Sequence, residues 1–307
     1  MADDQLALDR AILGEVMTSN ESYEVLRHLC DTIGHRFGGS DSEKAGAAFL
    51  QQKMQEYGLQ NVGLEEFGMA GWDRGPAALS LNAPVQRDFP CVAMPYCPPA
   101  DLTAELVDVG DGELRDFQRL KDQVQGRIVI SAAETNRPGE RGSHRTEKFN
   151  WAIEHGAVGH IFVNQNPGML HITGSISAKN PKGTTAEDRE SPIPGVGVSW
   201  EAGQEILRHM RYGDGEGVVT LKLENKTHEA ISRNVICEVV GSEFPDEVVL
   251  IGGHFDGHDI SQSAGDDGAG TVTGLEAARA LATLKGKLKR TVRVICFGSE
   301  EIGLLGA

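Results

Sequence analysis

The chain has 307 residues and a formal net charge of −16, with an ordinary globular composition. This length predicts about two domains at roughly 150 residues each, and the acidic balance argues against a nucleic-acid partner, which would need a basic face. No run of about 18 apolar residues exists, so no membrane span is expected. The N-terminal stretch "MADDQLALDRAILGEVM" lacks the basic and apolar regions of a secretory signal. The sequence as it stands therefore predicts a cytoplasmic protein, or a secreted or periplasmic one if its true N-terminus lies further upstream.

The cysteine pattern also favours a cytoplasmic protein. The five cysteines are odd in number and include no CxxC pair, which favours buried thiols in a reducing compartment. Cys91 and Cys97 remain a potential disulfide for an exported protein.

The first 85 residues predict helices and one strand. Apolar positions at near-helical spacing predict a helix over residues 5–28. Ser40, with Glu43 three residues on, predicts the start of a second helix that ends near Gly58. The stretch "VGLEEFGM" predicts a short strand. We interpret residues 1–85 as the first part of a catalytic domain.

The character of the sequence changes over residues 86–230. Short β-like runs such as "AELVDVG", "GRIVISA" and "GHIFVN" alternate with helix-like segments such as "EKFNWAIEHGA". This alternation predicts a small mixed sheet. We therefore expect a compact α/β domain here, inserted into the first one and smaller than it.

Residues 231–307 predict a strand–helix–strand unit. The run Val248 to Ile251 is continuously apolar, as expected for a strand buried on both faces of a parallel sheet. "AGTVTGLEAARALATLKG" predicts a helix, and "RTVRVICFG" predicts a second strand. In such units the polar residues that follow the strand ends and open the helix share one edge of the sheet. The residues that meet this description are His254, Asp256, Asp266, Asp267, Glu300 and Glu301.

These side chains predict a metal site. Crowded carboxylates repel one another unless a cation compensates, and oxygen ligands with one imidazole suit zinc, or manganese or cobalt in its place. In H-x-D, the carboxylate can hold the second nitrogen of a ligand histidine. A doubled Glu can supply one ligand and one general base. Each motif alone is more often structural, and only their arrangement at successive strand ends favours the metal site.

The stretches "IGGHFDGHDISQSAGDDGAG" and "RTVRVICFGSEEIGLLGA" together resemble the co-catalytic zinc exopeptidases of metallopeptidase family M28. Within that family, "DTIGHRFGGSDSEKA" and "WDRG" are similar to the carboxypeptidase Q branch. The resemblance implies a zinc-exopeptidase-type mixed, mainly parallel sheet flanked by helices, with an inserted protease-associated domain. Two Zn²⁺ ions and a peptide or dipeptide substrate are further implications.

The resemblance also implies residue roles. His254 would bind one zinc, Asp266 would bridge both, and Glu301 would bind the second. Asp256 would orient His254, and Glu300 would be the general base for the attacking water. A cis peptide is implied at Asp266–Asp267. His258 completes the stretch H-F-D-G-H, whose two histidines resemble a pair of metal ligands. In the pattern of the carboxypeptidase Q branch this position is not a ligand, so His258 is expected to line the pocket or lie on the surface.

The resemblance also implies five protein ligands for the two metals, and this chain shows three of them. We therefore expect an amino-terminal part of a longer enzyme, inactive by itself, whose sheet leaves an apolar edge exposed. Two other functions stay open: a non-catalytic, receptor-like binding protein, and a metal-dependent hydrolase of N-acyl amino acids. The inserted domain could cover the active-site cleft, mediate a homodimer, or be a passive structural insert.

Overall fold

A computed structural model describes residues 2–135, 141–176, 183–213, 215–284 and 286–307, without the side chains of residues 2–4. The chain divides into two units, one formed by residues 1–71 and 230–307 and the other by residues 72–229. They are similar in length. The predicted boundary at residue 85 differs from this division, because the strand Ala77–Ala83 pairs with Val218–Leu223 inside the second unit.

The first unit holds a mixed sheet covered by helices. In its described part the helices are α1 Ala2–Thr18, α2 Ser22–Arg27, α3 Asp41–Glu56 and α8 Ala269–Ala282, with a π-helical turn at His28–Ile33 and an irregular turn at Ala264–Gly268. The strands are β1 Gln60–Asp73, β10 Lys226–Val239, β11 Phe244–His254 and β12 Arg290–Phe297, in the order β1-β10-β12-β11. β11 and β12 run parallel, while β10 and β12 run antiparallel. The predicted strand–helix–strand unit is thus present.

Two local predictions were wrong in part. The helix predicted over residues 5–28 is interrupted after Thr18, because the Asn20 side chain accepts a hydrogen bond from Ser22 N at 2.9 Å and forms a turn there. The apolar run Val248 to Ile251 was predicted to be buried on both faces, yet Val248, Val249 and Leu250 are exposed and Ile251 is only partly buried. β11 is the last strand of its sheet among the described residues, so only β12 lies beside it. The expected exposed apolar edge is found here.

The start of α3 follows its sequence signal. Ser40 Oγ accepts a hydrogen bond from Glu43 N at 3.1 Å, as an N-cap does. The Glu43 side chain reaches back to Gly39 N at 2.9 Å. Behind this helix lies the core of the unit, where α3, α8 and the strands meet; its buried members include Leu50, Met54, Cys237, Phe255, Leu275 and Cys296.

The second unit is built on a larger mixed sheet. Its described strands are β2 Ala77–Ala83, β3 Arg87–Phe89, β4 Val92–Ala93, β5 Ala100–Asp108, β6 Ile128–Ala132, β7 Gly159–Val163, β8 Gly195–Val198 and β9 Val218–Leu223. Their order is β3-β2-β9-β5-β6-β7-β8-β4, with β5 to β8 parallel. The helices are α4 Leu114–Val124, α5 Arg145–Glu154, α6 Ala186–Arg189 and α7 Trp200–Tyr212. This is the α/β architecture predicted for the insert.

Within the described ranges, no helix is long and apolar enough to cross a membrane.

Candidate metal centre

The candidate site lies at the carboxyl ends of β11 and β12. His254 is the last residue of β11 and is paired in register with Phe297 at the end of β12. Glu300 and Glu301 follow β12 after two residues, and Asp266 lies in the turn Ala264–Gly268 that precedes α8, where its own backbone is not helical. Parallel pairing places both strand ends at one edge of the sheet. A cavity of about 170 Å³ opens there, lined in part by His254, Asp267 and Glu300.

The two ring nitrogens of His254 face different carboxylates. Nε2 lies 3.1 Å from Asp266 Oδ1 and 3.7 Å from Glu300 Oε2. Nδ1 lies 3.4 Å from Asp256 Oδ1 and 3.3 Å from the backbone carbonyl of Asp256. Asp256 is fully buried, whereas the Asp266 side chain is 85% exposed. One nitrogen is therefore turned toward the cavity, and the other toward the protein interior.

Asp256 also fixes the start of the segment after β12. Its Oδ1 accepts a hydrogen bond from Glu300 N at 3.0 Å, and its Oδ2 accepts one from Glu301 N at 3.3 Å. A single buried carboxylate thus links the histidine of one strand end to the paired glutamates of the next.

The charged groups of the site shift one another's pKa. Burial lowers the pKa of His254. The hydrogen bond and the charge of Asp256 raise it, as do the charges of Glu300 and Glu301. These effects outweigh the effect of burial, and the pKa of His254 rises to about 9. Burial raises the pKa of Glu300; His254 opposes this rise, and Asp256, Glu301 and Asp266 add to it. Carboxylates this close disfavour one another's ionised form. An imidazole nitrogen directed at carboxylate oxygens is a donor set that fits zinc.

Not all the predicted site residues come together. Glu301 Oε2 lies 3.2 Å from His258 Nε2, so this carboxylate contacts a histidine that the sequence pattern placed outside the ligand set. His258 is mostly buried, with 13% of its side chain exposed, which places it in the pocket lining rather than on the surface. Across the described parts of the chain, no group of three or more His, Cys, Asp or Glu side chains converges to hold a metal ion. The H-F-D-G-H spacing was the one sequence signal for His258.

The peptide bond at Asp266–Asp267 is cis, as the resemblance implied. Asp267 is turned toward the helix, where its Oδ1 accepts a hydrogen bond from Gly270 N at 3.0 Å.

Comparisons with known proteins bear on this site. Residues 234–307 match the model of "Peptidase family M28", and residues 102–206 match the PA domain. Carboxypeptidase Q of Rattus norvegicus is 30% identical over 294 residues, which are 94% of this chain and 60% of that protein. A peptidase M28 precursor from Shewanella amazonensis SB2B superposes with a TM-score of 0.82 at 29% identity, over 99% of this chain and 69% of that one.

A zinc aminopeptidase from Bacillus subtilis superposes with a TM-score of 0.70 at 27% identity, over 93% of this chain and 63% of that one. The chain thus spans about 60% of the length of the curated relatives it matches. The site described above lies inside the segment matched by the peptidase model.

Proposed function

We propose that this chain is part of a zinc-dependent exopeptidase. The premise is that residues 234–307 belong to peptidase family M28 and residues 102–206 to the PA domain. The observation that carries the proposal is the position of His254 Nε2, 3.1 Å from Asp266 Oδ1 and 3.7 Å from Glu300 Oε2. A histidine nitrogen beside two carboxylates from other elements supplies the types of ligand that zinc takes.

The proposed ligands are His254, Asp266 and Glu301, which would hold two zinc ions. Mn²⁺ and Co²⁺ have similar ligand preferences and could substitute. Asp256 holds Nδ1 of His254 and so sets which ring nitrogen is offered to the metal, a task that carboxylates commonly perform behind metal-bound histidines. Bound zinc would supply Lewis-acid polarisation of the scissile carbonyl and would lower the pKa of water.

Glu300 is the proposed proton carrier. Its side chain is 35% exposed, so it can reach a substrate, and burial raises the pKa of its carboxyl group. A raised pKa brings a carboxylate closer to the value that suits proton transfer near neutral pH. The backbone of Glu300 is held by Asp256, which keeps its side chain beside His254. We therefore assign to Glu300 the removal of a proton from water and its delivery to the leaving amine.

The substrate is proposed to be a peptide or dipeptide. The relatives include both a carboxypeptidase and an aminopeptidase, so the end of the peptide that is cut is left to experiment. The native protein containing this chain should be assayed on free dipeptides, aminoacyl anilides and N-acyl amino acids. We expect the protein to hydrolyse peptides. A chelator should abolish this hydrolysis, and added zinc should restore it. Preferential cleavage of N-acyl amino acids would favour the amidohydrolase, and zinc binding without hydrolysis would favour a receptor-like protein.

A reducing compartment is proposed for the protein. All five cysteines are free, and four of them are buried: Cys30, Cys97, Cys237 and Cys296. Burial raises the pKa of the Cys97 thiol to about 12, which makes it unreactive. We expect thiol mapping of the freshly isolated, unfolded protein to find all five cysteines of this chain reduced.

A further inference from the structure

Arg36 is a buried arginine whose hydrogen bonds go to the backbone. It lies in the stretch "GHRFGG", between the π-helical turn His28–Ile33 and α3, and its side chain is fully buried. Its guanidinium donates to five carbonyl oxygens, which are those of Leu29, Gly34, Phe255, Gln262 and Ser263. A guanidinium carries five N–H groups in a rigid fork and remains charged when buried.

Three of these carbonyls belong to the loop that forms the candidate metal site. Nε donates to Phe255 O at 2.5 Å, at the start of the loop, and the two terminal nitrogens donate to Gln262 O and Ser263 O at 3.1 Å each, at its end. The backbone carbonyl of Arg36 also accepts a hydrogen bond from Gly257 N at 3.1 Å. Both ends of loop 255–263 are therefore tied to one side chain.

The ends of this loop carry the metal-site residues. His254 directly precedes Phe255, and Asp256 follows it, while Asp266 comes three positions after Ser263. Ser263 adopts a left-handed backbone with φ 49° and ψ 50°, which is unfavourable for a residue with a side chain and needs support from its surroundings. Its carbonyl receives that support from Arg36 and from Gly268 N, at 3.1 Å each.

We propose that Arg36 is a positioning residue of the metal site, which holds loop 255–263 closed so that His254 and Asp266 face each other before metal binds. This inference rests on the proposed function for its metal. It concerns a residue about 220 positions away from the loop in sequence, in the stretch "DTIGHRFGGSDSEKA", for which the resemblance implied no role in the site.

Substitution of Arg36 by lysine, in the native protein that contains this chain, tests the proposal. Arg36→Lys keeps the charge but cannot reach both ends of the loop, because an ammonium offers three donors at a single point. We expect zinc affinity, measured by calorimetry, to fall by roughly 10- to 100-fold, as for other residues that support metal ligands. Hydrogen exchange of residues 255–263 in the metal-free protein should become at least about 10-fold faster.

The matched control is Arg279→Lys. Arg279 is also a mostly buried arginine of the same unit, but it donates to the side chains of Glu276 and Glu15 rather than to this loop. We expect its substitution to leave zinc affinity and the exchange of residues 255–263 unchanged. Wild-type values of both quantities in Arg36→Lys, or equal effects of the two substitutions, would overturn the proposal.

Two further outcomes are informative. If Arg36→Lys does not fold, hydrogen exchange of the metal-free wild type decides: a protected loop supports the proposal, and a loop exchanging at the rate of an unfolded peptide overturns it. If the wild-type native protein that contains this chain binds neither zinc nor cobalt, the proposed function fails and the metal-site role of Arg36 fails with it. Loss of zinc binding in Arg36→Lys alone therefore concerns the role of Arg36, whereas loss in the wild type concerns the proposed function.

Discussion

His258 Nε2 lies 3.2 Å from Glu301 Oε2, so the carboxylate proposed as a zinc ligand is held by a histidine that is not itself part of the ligand pattern. The His258 ring also packs against Phe37, with ring centroids 5.9 Å apart. A ring fixed in this way can present a nitrogen to one oxygen of Glu301 and leave the other for a metal. Support of this kind behind metal-binding side chains commonly raises metal affinity.

Replacement of His258 by phenylalanine should therefore weaken zinc binding. His258→Phe keeps a ring beside Phe37 but removes the nitrogen that faces Glu301. We expect zinc affinity, measured by competition with a chromogenic chelator, to fall by roughly 10-fold. His35→Phe is the control, because His35 is exposed and contacts Ser42 at 3.2 Å. An unchanged affinity in His258→Phe would show that this contact does not contribute to the site.

Glu300→Gln should separate metal binding from catalysis. Glutamine has nearly the same shape but cannot carry the proton, and removal of a general base typically costs roughly 10²–10⁴ in rate. We expect kcat of the native protein containing this chain to fall by that factor, with zinc affinity nearly unchanged. Glu243→Gln, at an exposed ion pair with Lys289, should leave both quantities at their wild-type values. Retention of full activity in Glu300→Gln would remove Glu300 from its proposed role.

Asp256→Asn should destabilise the first unit and weaken zinc binding together. Both oxygens of this buried carboxylate accept backbone hydrogen bonds, from Glu300 N and Glu301 N. Asparagine can accept only one of them, and a buried donor left without a partner costs about 1–3 kcal/mol. Urea unfolding of the metal-free chain should show that loss. Asp31→Asn, an exposed residue, should show no loss, and equal stability of the two variants would contradict the expectation.

Glu43 should make stability depend on pH. Burial is the main cause that raises its pKa, from 4.5 to about 7; Asp256 adds to the rise, while Ser232, Gly39 and Arg233 oppose it. The folded state therefore binds more protons than the unfolded state between those two values, and stability falls as pH rises through this window. A shift of this size corresponds to about 3 kcal/mol.

Glu43→Gln is the matched test of this pH dependence. Glutamine can accept the hydrogen bond from Gly39 N and does not ionise. Chemical unfolding of the metal-free chain should show wild-type stability decreasing from about pH 4.5 to about pH 7, and a flatter profile in Glu43→Gln. Parallel profiles for the two proteins would assign the pH dependence to other groups.

Much of the first unit was predictable because its signals are local. Ser40 caps α3 through Glu43, three residues away, and the unit formed by β11, α8 and β12 follows from apolar runs within 54 residues, Phe244–Phe297. Parallel strands end at one edge, so the pattern also predicted that His254, Asp266 and Glu300 would be neighbours, and the distances agree. The break after Thr18 was not predicted, since it depends on the conformation of one asparagine side chain.

The sequence by itself determined the types of metal-binding side chain and the strand ends that carry them, because these depend on residue identity and short-range periodicity. Only the tertiary structure decided that Arg36 donates hydrogen bonds to both ends of the loop after β11, that His258 contacts Glu301, and that apolar side chains of β11 are exposed. The physical reason is the same in each case. Arg36 and Phe255 are about 220 positions apart, and their hydrogen bond depends on how distant segments of the chain pack. The exposure of β11 likewise depends on which strands lie beside it in the described sheet. No local sequence pattern encodes such packing.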